Sequence, residues 1–533
     1  MSRTPLFAVV KKALASSVSD SAVIRLRSSA LSRRRLLRLS AAAAGATALA
    51  PVLKWDAYAE EKAKNGTPSV AIVGGGVAGL TAAYRLQAAG IKPLLFEASN
   101  RWGGRMLTVY DFYKGMFCEL GGEFVDTNHE DLITLAGELG IEMQSLATEG
   151  EDLYYFGGKF YTPSDMVDPE KQTGAFAPIA EQIAADADQL YDEEEDWTDF
   201  AHELDKMSLK AYLEQFRGKA EDWAIDLLDV AYVGEFGLET EDQSCLNLVD
   251  FIGTDLNEPF AIYGESDEAY RIKGGSSVLI KALVAALEGK AEMQLGHALT
   301  TLDVKDGKVV TTFDAPGGPR SEAFDHVIFT LPFTKLRQVD GLESLELEPE
   351  KLQAIRELGY GTNAKVYNGT TSRPWQSADS GLPELSNGSF YTDLGFQALW
   401  EMSRAQPGEA GIITNFLGGK AGLAEDNAAL EIFRTGLAKM SPKMAESLDP
   451  PAVASFFWAR YPYTLGSYAS AKPGQYTTLL DVVADPALDG RVQFAGEHTS
   501  VDFLGYMNGG VESGNRASAA LIEIMAPEKA ETP

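Results

Sequence analysis

The chain has 533 residues, a formal net charge of −31 at neutral pH and 51 glycines. This length exceeds what one simple core supports, so we expect two intertwined domains in a globular protein with many tight turns. The large excess of acid argues against partners such as nucleic acid or an anionic membrane, and is compatible with cationic substrates. The 2 cysteines and 5 histidines show no CxxC, HxxxH or HExxH spacing, so no metal site is predicted.

The N-terminus differs from the rest of the chain because residues 1–38 carry nine Lys/Arg and one Asp. Ser32–Arg38 (SRRRLLR) resembles the twin-arginine export signal, and the apolar run after it is too short to span a bilayer. We therefore interpret residues 1–59 as a leader, with cleavage after the AYA at Ala57–Ala59. The expected location is periplasmic or secreted, without stable membrane insertion. A disordered basic tail is the alternative.

A strand–turn–helix–strand pattern follows the leader. Ser69–Val73 predicts a strand, Val77–Ala89 a helix that ends at Gly90, and Lys92–Phe96 a second strand. Glu97 stands at the end of that second strand, 18 residues after Gly79. This is the spacing of a Rossmann-type βαβ unit whose terminal acid binds ribose hydroxyls.

The glycines of the turn match the dinucleotide fingerprint GxGxxG. Gly74 permits the tight turn, Gly76 lets backbone N–H groups approach a pyrophosphate, and Gly79 allows close packing of helix on strand. The helix N-terminus adds a partial positive charge for the anion. The motif predicts a dinucleotide site, but NAD and FAD share it.

Later motifs separate these two cofactors. They occur in the order found in the flavin-containing amine oxidase family, which includes monoamine oxidases and L-amino-acid oxidases, and the chain resembles that family over most of Val70–Ile524. The segments that carry the resemblance are Arg101–Arg105 (RWGGR), Glu119–Asp126 (ELGGEFVD), Tyr270–Leu283, Phe324–Leu336, Leu358–Val366 (LGYGTNAKV) and Val492–Ser518.

The resemblance implies an α/β fold. A glutathione-reductase-like FAD-binding domain would be interleaved with an α+β substrate domain that contains a mixed sheet. The implied FAD-binding segments are 66–144, 265–335 and 455–526, the substrate-binding segments are 145–264 and 336–454, and residues 527–533 form a tail.

FAD is the cofactor that the resemblance implies. Ser467 stands where some relatives carry a cysteine linked to the flavin, so we predict that FAD is bound noncovalently. The implied cofactor-binding residues are Gly74, Gly76, Ala78, Gly79, Glu97, Ala98, Gly104, Arg105, Gly121, Gly122, Glu123, Leu299, Trp458, Gly496, Glu497, Tyr506 and Met507.

Three residues are implied to be catalytic. Lys365 matches the family's lysine that holds a water beside the flavin, and Tyr468 and Tyr506 match the two walls of its aromatic cage. Facing phenol rings would guide an amine past their π-faces. The alternatives are a solvated surface lysine and two tyrosines that only pack the core.

The substrate is the least defined part of the prediction. Glu123 could favour cationic side chains or diamines, or could only bond the flavin or a backbone turn. Arg460 is a candidate for binding a substrate carboxylate because it lies near Tyr468 in the sequence, and a surface ion pair is its alternative. The aromatic segment Ser389–Glu401 could line the pocket or pack the core.

The predicted function is an FAD-dependent oxidase that deaminates an L-amino acid or a primary or secondary amine, with O2 as acceptor and H2O2 as product. One alternative is a dehydrogenase that passes electrons to a redox protein. Another is a flavin-binding module without catalysis. Relatives of this kind are often dimers, so a homodimer is an open alternative to a monomer.

Overall fold

The structure is a computed structural model that describes residues 68–166, 175–252, 267–500 and 502–526. The twin-arginine-like leader (1–59) and the predicted tail (527–533) lie outside the described residues. Within these described ranges, no helix has the length and apolar character needed to cross a membrane.

The strands are short and come from all parts of the described chain. They are β1 (Val70–Val73), β2 (Leu94–Glu97), β3 (Thr108–Tyr113), β4 (Met116–Glu119), β5 (Phe124–Val125), β6 (Met143–Ser145), β7 (Glu151–Phe156), β8 (Lys159–Tyr161), β9 (Tyr270–Ile272), β10 (Glu292–Leu295), β11 (Ala298–Lys305), β12 (Lys308–Asp314), β13 (Arg320–Phe324), β14 (His326–Phe329), β15 (Ala364–Thr370), β16 (Ser386–Thr392), β17 (Ala398–Glu401), β18 (Gly411–Leu417), β19 (Leu448–Phe457) and β20 (Val492–Phe494).

The α-helices lie between these strands and at the C-terminal end of the described chain. They are α1 (Val77–Ala88), α2 (Glu130–Glu138), α3 (Pro163–Met166), α4 (Ala177–Ala187), α5 (Asp199–Asp205), α6 (Leu209–Glu214), α7 (Asp222–Phe236), α8 (Leu246–Ile252), α9 (Ser277–Leu287), α10 (Phe333–Leu336), α11 (Pro349–Glu357), α12 (Asp426–Met440), α13 (Pro442–Ser447), α14 (Tyr476–Leu479) and α15 (Met507–Met525).

A five-stranded parallel sheet, ordered β10-β2-β1-β14-β20, forms the first layer. Every residue of β1 is buried, as expected for a parallel strand covered on both faces. Val70 and Ile72 join the core formed with α1, α2, α9 and α15. Ala71 and Val73 join the core on the opposite face, which includes the antiparallel sheet β11-β12-β13. The predicted βαβ unit therefore lies at the centre of a doubly covered sheet.

The start of α1 packs tightly against the turn that precedes it. A Cβ built on Gly79 would lie 2.0 Å from the carbonyl oxygen of Gly74, a distance that no side chain tolerates. The third glycine of the fingerprint thus has the predicted role of permitting close helix–strand contact.

A second sheet has seven strands in the order β19-β15-β18-β17-β16-β7-β8. Its neighbours pair antiparallel except β16 with β7, which run parallel, so this is the predicted mixed sheet. Tyr154 and Tyr391 lie in the core with the helices between β8 and β9, whereas Phe390 and Leu399 pack with α12. The α/β fold with an additional mixed-sheet lobe is confirmed.

The strands of each sheet come from the segments that the sequence assigned to the two lobes, except that β6 extends to Ser145 and β19 extends to Phe457. The boundaries of the two domains themselves stay a prediction. Two small sheets, β3-β4 and β5-β9-β6, complete the fold.

Candidate active site

One cavity, with a volume of about 250 Å³ and an opening to solvent, is lined by residues of both sheets. The sequence-predicted site residues on its wall are Gly74, Gly76, Ala78, Glu97, Ala98, Gly104, Arg105, Gly121, Gly122, Glu123, Leu299, Lys365, Trp458, Tyr468, Gly496, Glu497, Tyr506 and Met507. Gly79 lies just behind the wall, where it packs against the turn. Arg460 is not among the lining residues.

The end of the cavity at α1 has the features of a dinucleotide cradle. Gly76, the cap residue of α1, offers no side-chain acceptor, and the first turn carries no acid. A Cβ on Gly104 would lie 3.1 Å from the Cα of Gly76, so the backbones of the two glycine turns meet directly. Free helix N–H groups beside bare backbone suit a pyrophosphate. The residues present therefore fit the predicted dinucleotide.

Glu97 stands beside this cradle at the end of β2. Its Oε2 accepts a hydrogen bond from the Gly75 N–H at 2.8 Å, and its Oε1 accepts one from the Ser99 N–H at 2.8 Å. These backbone donors fix the carboxylate at the cavity wall, where the sequence predicted contact with a ribose.

Arg105 and Glu497 connect segments that are far apart in the sequence. Arg105 Nη1 lies 2.6 Å from Glu497 Oε1 and also donates to the carbonyl of Ser467 at 2.8 Å. Glu497 Oε2 accepts from the Gly505 N–H at 2.7 Å. The pair thus holds the loop of Tyr468 and the turn before α15 against the RWGGR turn. The predicted contacts of both residues with the cofactor stay predictions.

Lys365 projects from β15 and is almost completely buried. Its ammonium donates to Glu123 Oε2 at 2.7 Å and to the carbonyls of Glu119 and Gly121 at 3.1 and 3.0 Å. Trp400 Nε1 donates to Glu123 Oε1 at 3.2 Å. All three donors of the ammonium therefore have protein acceptors, and its charge is balanced by a carboxylate. A surface role for Lys365 is excluded, and its contact with a catalytic water stays a prediction.

The same pairing bears on the roles predicted for Glu123, which were contact with a cationic substrate and hydrogen bonding to the flavin or a backbone turn. The carboxylate already accepts from Lys365 and Trp400, and its side chain is only 3% exposed. Its partners in the structure are thus protein groups on the mixed sheet. The segment Ser389–Glu401 has a divided role, since Trp400 lines the cavity whereas Phe390 packs in the core.

Tyr468 and Tyr506 both contribute to the cavity wall. The Tyr468 hydroxyl donates to the carbonyl of Gly234 on α7 at 3.1 Å. The Asn363 amide donates to that same carbonyl at 2.8 Å, and the Ser467 hydroxyl donates to Asn363 Oδ1 at 2.6 Å. This network fixes the orientation of Tyr468. Tyr506 caps α15, so the positive end of that helix faces the cavity.

Tyr506 also contacts a buried histidine. The rings of Tyr506 and His129 are 5.1 Å apart and meet edge to face, and burial lowers the pKa of His129 to about 4. His129 Nε2 lies 3.4 Å from Asp126 Oδ2. A neutral histidine and an aspartate thus support the second cage position.

The substrate role proposed for Arg460 is not supported by its position. Arg460 Nη2 lies 2.6 Å from Asp426 Oδ1, its side chain is 39% exposed, and its guanidinium stacks over Phe457. The alternative, a surface ion pair, describes this residue. Sequence proximity to Tyr468 was misleading because the chain turns between the two residues and directs them to different surfaces.

Glu268 is the functional candidate that sequence reasoning missed. It lies on the cavity wall, is 5% exposed, and its two carboxylate oxygens have no hydrogen-bond partner in the described part of the chain. Burial, followed by the charges of Asp126, Glu235 and Glu123, raises its pKa well above the usual range. Glu268 lies in a polar stretch just before YRIKGG (Tyr270–Gly275), and nothing in the sequence distinguishes it from a solvent-exposed glutamate.

Comparison with known proteins agrees with this geometry. L-amino-acid oxidases of Bungarus fasciatus and Pseudechis australis are each 26% identical to the chain, over 84% and 86% of its length and 86% and 88% of theirs. Cyclohexylamine oxidase from Brevibacterium oxydans shares the fold with a TM-score of 0.72 and 22% identity, over 86% of this chain and 99% of that one.

Putrescine oxidase bound to putrescine superposes with a TM-score of 0.68 at 20% identity, again over 86% of this chain and 99% of the other. The model of the family described as flavin containing amine oxidoreductase matches residues 77–522, which span the fingerprint helix, the Lys365 strand and most of α15. Since this match covers far more than half of the sequence and includes both lobes of the cavity, the chain belongs to the flavin-containing amine oxidoreductase family.

Proposed function

We propose that this protein is an FAD-dependent oxidase that deaminates an L-amino acid or a primary or secondary amine. The substrate CH–NH bond loses two electrons and two protons to give an imine, and O2 accepts them to give H2O2. Water then converts the imine into an oxo product and releases ammonia or the smaller amine. The bound flavin supplies the two-electron acceptor for the amine.

One observation carries the proposal. The buried Lys365–Glu123 pair, Tyr468 and Tyr506 share the wall of a cavity that continues to the glycine cradle of α1. A module that only binds a flavin needs no such group of side chains at the far end of the cofactor site. The relatives named L-amino-acid oxidase support the same reaction class.

The residues of the chain would bind and orient the substrate. Tyr468 is held by the carbonyl of Gly234, and Tyr506 by its place at the start of α15, so the two rings can serve as fixed walls for an amine. Trp400 and Phe416 add apolar surface that excludes water from the reacting carbon. The positive end of α15 favours negative charge that develops nearby.

We also propose that FAD is held without a covalent bond. Ser467 is 3% exposed and hydrogen-bonded to Asn363, and a hydroxyl cannot form the thioether that a cysteine would. Acid precipitation of the purified yellow protein is expected to leave all flavin in the supernatant. Flavin that stays with the pellet would contradict this proposal.

The main experiment follows the flavin absorbance during anaerobic mixing with L-amino acids, monoamines and diamines. Bleaching by at least one of these substrates is expected, followed by rapid recovery of the colour and one H2O2 per turnover when air is admitted. Slow reoxidation in air would favour a dehydrogenase with another electron acceptor. A protein that binds flavin and is bleached by none of them would contradict the proposed function.

We propose, finally, that the protein is exported through the twin-arginine route, on the basis of Ser32–Arg38. Replacement of Arg33 and Arg34 by Lys should retain the protein in the cytoplasm, as measured by cell fractionation. Unchanged export of this double variant would contradict the assignment.

A further inference from the structure

Glu268 differs from the other carboxylates on the cavity wall because the described residues provide no partner for its oxygens. Glu97 accepts two backbone N–H groups, Glu123 pairs with Lys365, and Glu497 pairs with Arg105. A carboxylate that is 5% exposed and unpaired is costly, so such a group is normally matched by a ligand or a proton.

The charged groups that face Glu268 are mostly acidic. Asp126, Glu235 and Glu123 act on it with negative charge, and Arg404 is the cation that acts against them. Arg404 is already engaged, because its guanidinium donates to Asn387 and Ser389. The electrostatic surroundings of Glu268 therefore favour a positively charged ligand.

Glu268 is also connected to the cage position of Tyr506. The Glu268 N–H donates to Asp126 Oδ1 at 2.9 Å. Asp126 lies beside His129, whose ring contacts Tyr506. Glu268, Tyr468 and Tyr506 all line this cavity.

The basic side chains on the cavity wall are already paired. Among the described lining residues, the Lys and Arg side chains are Lys365 and Arg105, and each is paired with a carboxylate. Among the described residues, Glu268 is thus a wall carboxyl group whose oxygens have no protein partner, whereas the Lys and Arg side chains of the wall are engaged with protein carboxylates.

We propose that Glu268 binds a second cationic nitrogen of the substrate, at the end remote from the reacting amine. This inference rests on the proposed function and specifies its substrate class. The shared chemistry is an amine or L-amino acid that carries a further ammonium group several methylenes away, and it has two sources: a diamine and a basic L-amino acid. Glu268 is a specificity-determining residue in this proposal.

The burial of Glu268 adds a pH dependence. Because its pKa is raised well above the usual range, the carboxyl holds a proton in the free enzyme at low pH and must lose it to pair with an ammonium. The preference for a substrate with two ammonium groups over a matched substrate with one should therefore increase as pH rises. Asp126, Glu235, Glu123 and Arg404 remain near Glu268 throughout this titration and set its midpoint.

The test compares kcat/KM within two pairs of substrates of equal chain length. The first pair is 1,5-diaminopentane and pentylamine, and the second is L-lysine and L-norleucine. Each is measured with the flavin-loaded wild type, with Glu268→Gln, and with Glu431→Gln, which changes an exposed glutamate on α12.

In the wild type, the kcat/KM of the substrate with two ammonium groups should exceed that of its partner by about tenfold or more in at least one pair, and the pair that shows it identifies the source. Glu268→Gln should remove most of this ratio, whereas kcat/KM for the partner with one ammonium group should change less than about threefold. Glu431→Gln should leave both values unaltered.

Equal losses for both members of a pair in Glu268→Gln, or a wild type without any preference for the substrate with two ammonium groups, would overturn the inference. If Glu268→Gln loses its flavin, the wild-type ratio decides, measured over the whole pH range in which the enzyme keeps its flavin: a ratio that rises with pH supports the inference, and a flat ratio overturns it. If no preference for a second ammonium group is found but pentylamine or L-norleucine bleaches the flavin, the inference fails while the proposed function stands. Bleaching by none of the four, together with none of the wider panel, removes both.

Discussion

Replacement of Lys365 by Met tests the buried ion pair at the centre of the cavity. The side chains of Lys365 and Glu123 are 7% and 3% exposed, and their charged atoms are 2.7 Å apart. Methionine has a similar length and can fill the same volume without strain. The change therefore removes the charge and its hydrogen bonds while it keeps most of the packing.

The expected loss in the free energy of unfolding follows from the buried groups that lose a partner when Lys365 is replaced. Glu123 would keep the Trp400 hydrogen bond but lose its cation, and the carbonyls of Glu119 and Gly121 would lose a donor. Removal of one partner from a buried pair costs about 3–5 kcal/mol in the free energy of unfolding. The double variant Lys365→Met/Glu123→Gln should recover about 2 kcal/mol or more of this, because no unpaired charge remains.

Lys351 provides a matched control in the same chain. It is also buried, but its Nζ lies over Phe494 and donates to the carbonyl of Val483, and no carboxylate of the described residues forms an ion pair with it. Burial lowers its pKa well below the usual range, so replacement by Met removes a poorly solvated amine rather than half of an ion pair. Lys351→Met should remain within about 1 kcal/mol of the wild type.

Urea unfolding, followed by tryptophan fluorescence and flavin absorbance, measures all four proteins under one condition. Anaerobic flavin reduction by the best substrate adds the functional comparison, in which only the Lys365 and Glu123 variants should be impaired. If Lys365→Met were as stable as Lys351→Met and reduced its flavin at the wild-type rate, the ion pair would have no structural or catalytic importance.

Three further changes test other parts of the site. Tyr468→Phe keeps the ring but loses the hydrogen bond to Gly234, so kcat/KM should fall only a few-fold, whereas Tyr468→Ala should lose about tenfold or more; unaltered kinetics of the alanine variant would remove the cage assignment. Burial raises the pKa of Glu119 to about 7, so between about pH 4.5 and 7 the unfolded chain loses this proton while the folded protein keeps it, and stability falls over that window. The urea-derived stability of Glu119→Gln relative to the wild type should rise by about 2–3 kcal/mol between pH 5 and 8, and a constant difference would refute this. Gly79→Ala would bring a Cβ to 2.0 Å from a carbonyl oxygen and should abolish flavin retention, whereas Gly137→Ala on the exposed face of α2 should stabilise the protein by about 0.5–1 kcal/mol; equal flavin content in the two would contradict the packing argument.

The local pattern of residues determined the first part of the fold. Apolar strand, glycine turn and helix follow one another within 69–99, and each depends on interactions between near neighbours, so β1, α1 and β2 lie where the sequence predicts them. The order of the later motifs identified the family, because each motif forms its turn or strand from local interactions and can therefore be recognised in the sequence. FAD as the cofactor of such a fold follows from the same motifs.

Only the tertiary structure decided which charges are paired. Lys365 meets Glu123 across 242 positions and Arg105 meets Glu497 across 392, and no periodicity in the sequence encodes such contacts. Arg460, close to Tyr468 in the sequence, is on the surface, whereas Glu268, in an ordinary polar stretch, is buried and unpaired within the described chain. The physical reason is that desolvation and ion pairing depend on which distant segments enclose a side chain, so these properties exist only once both sheets have formed the cavity.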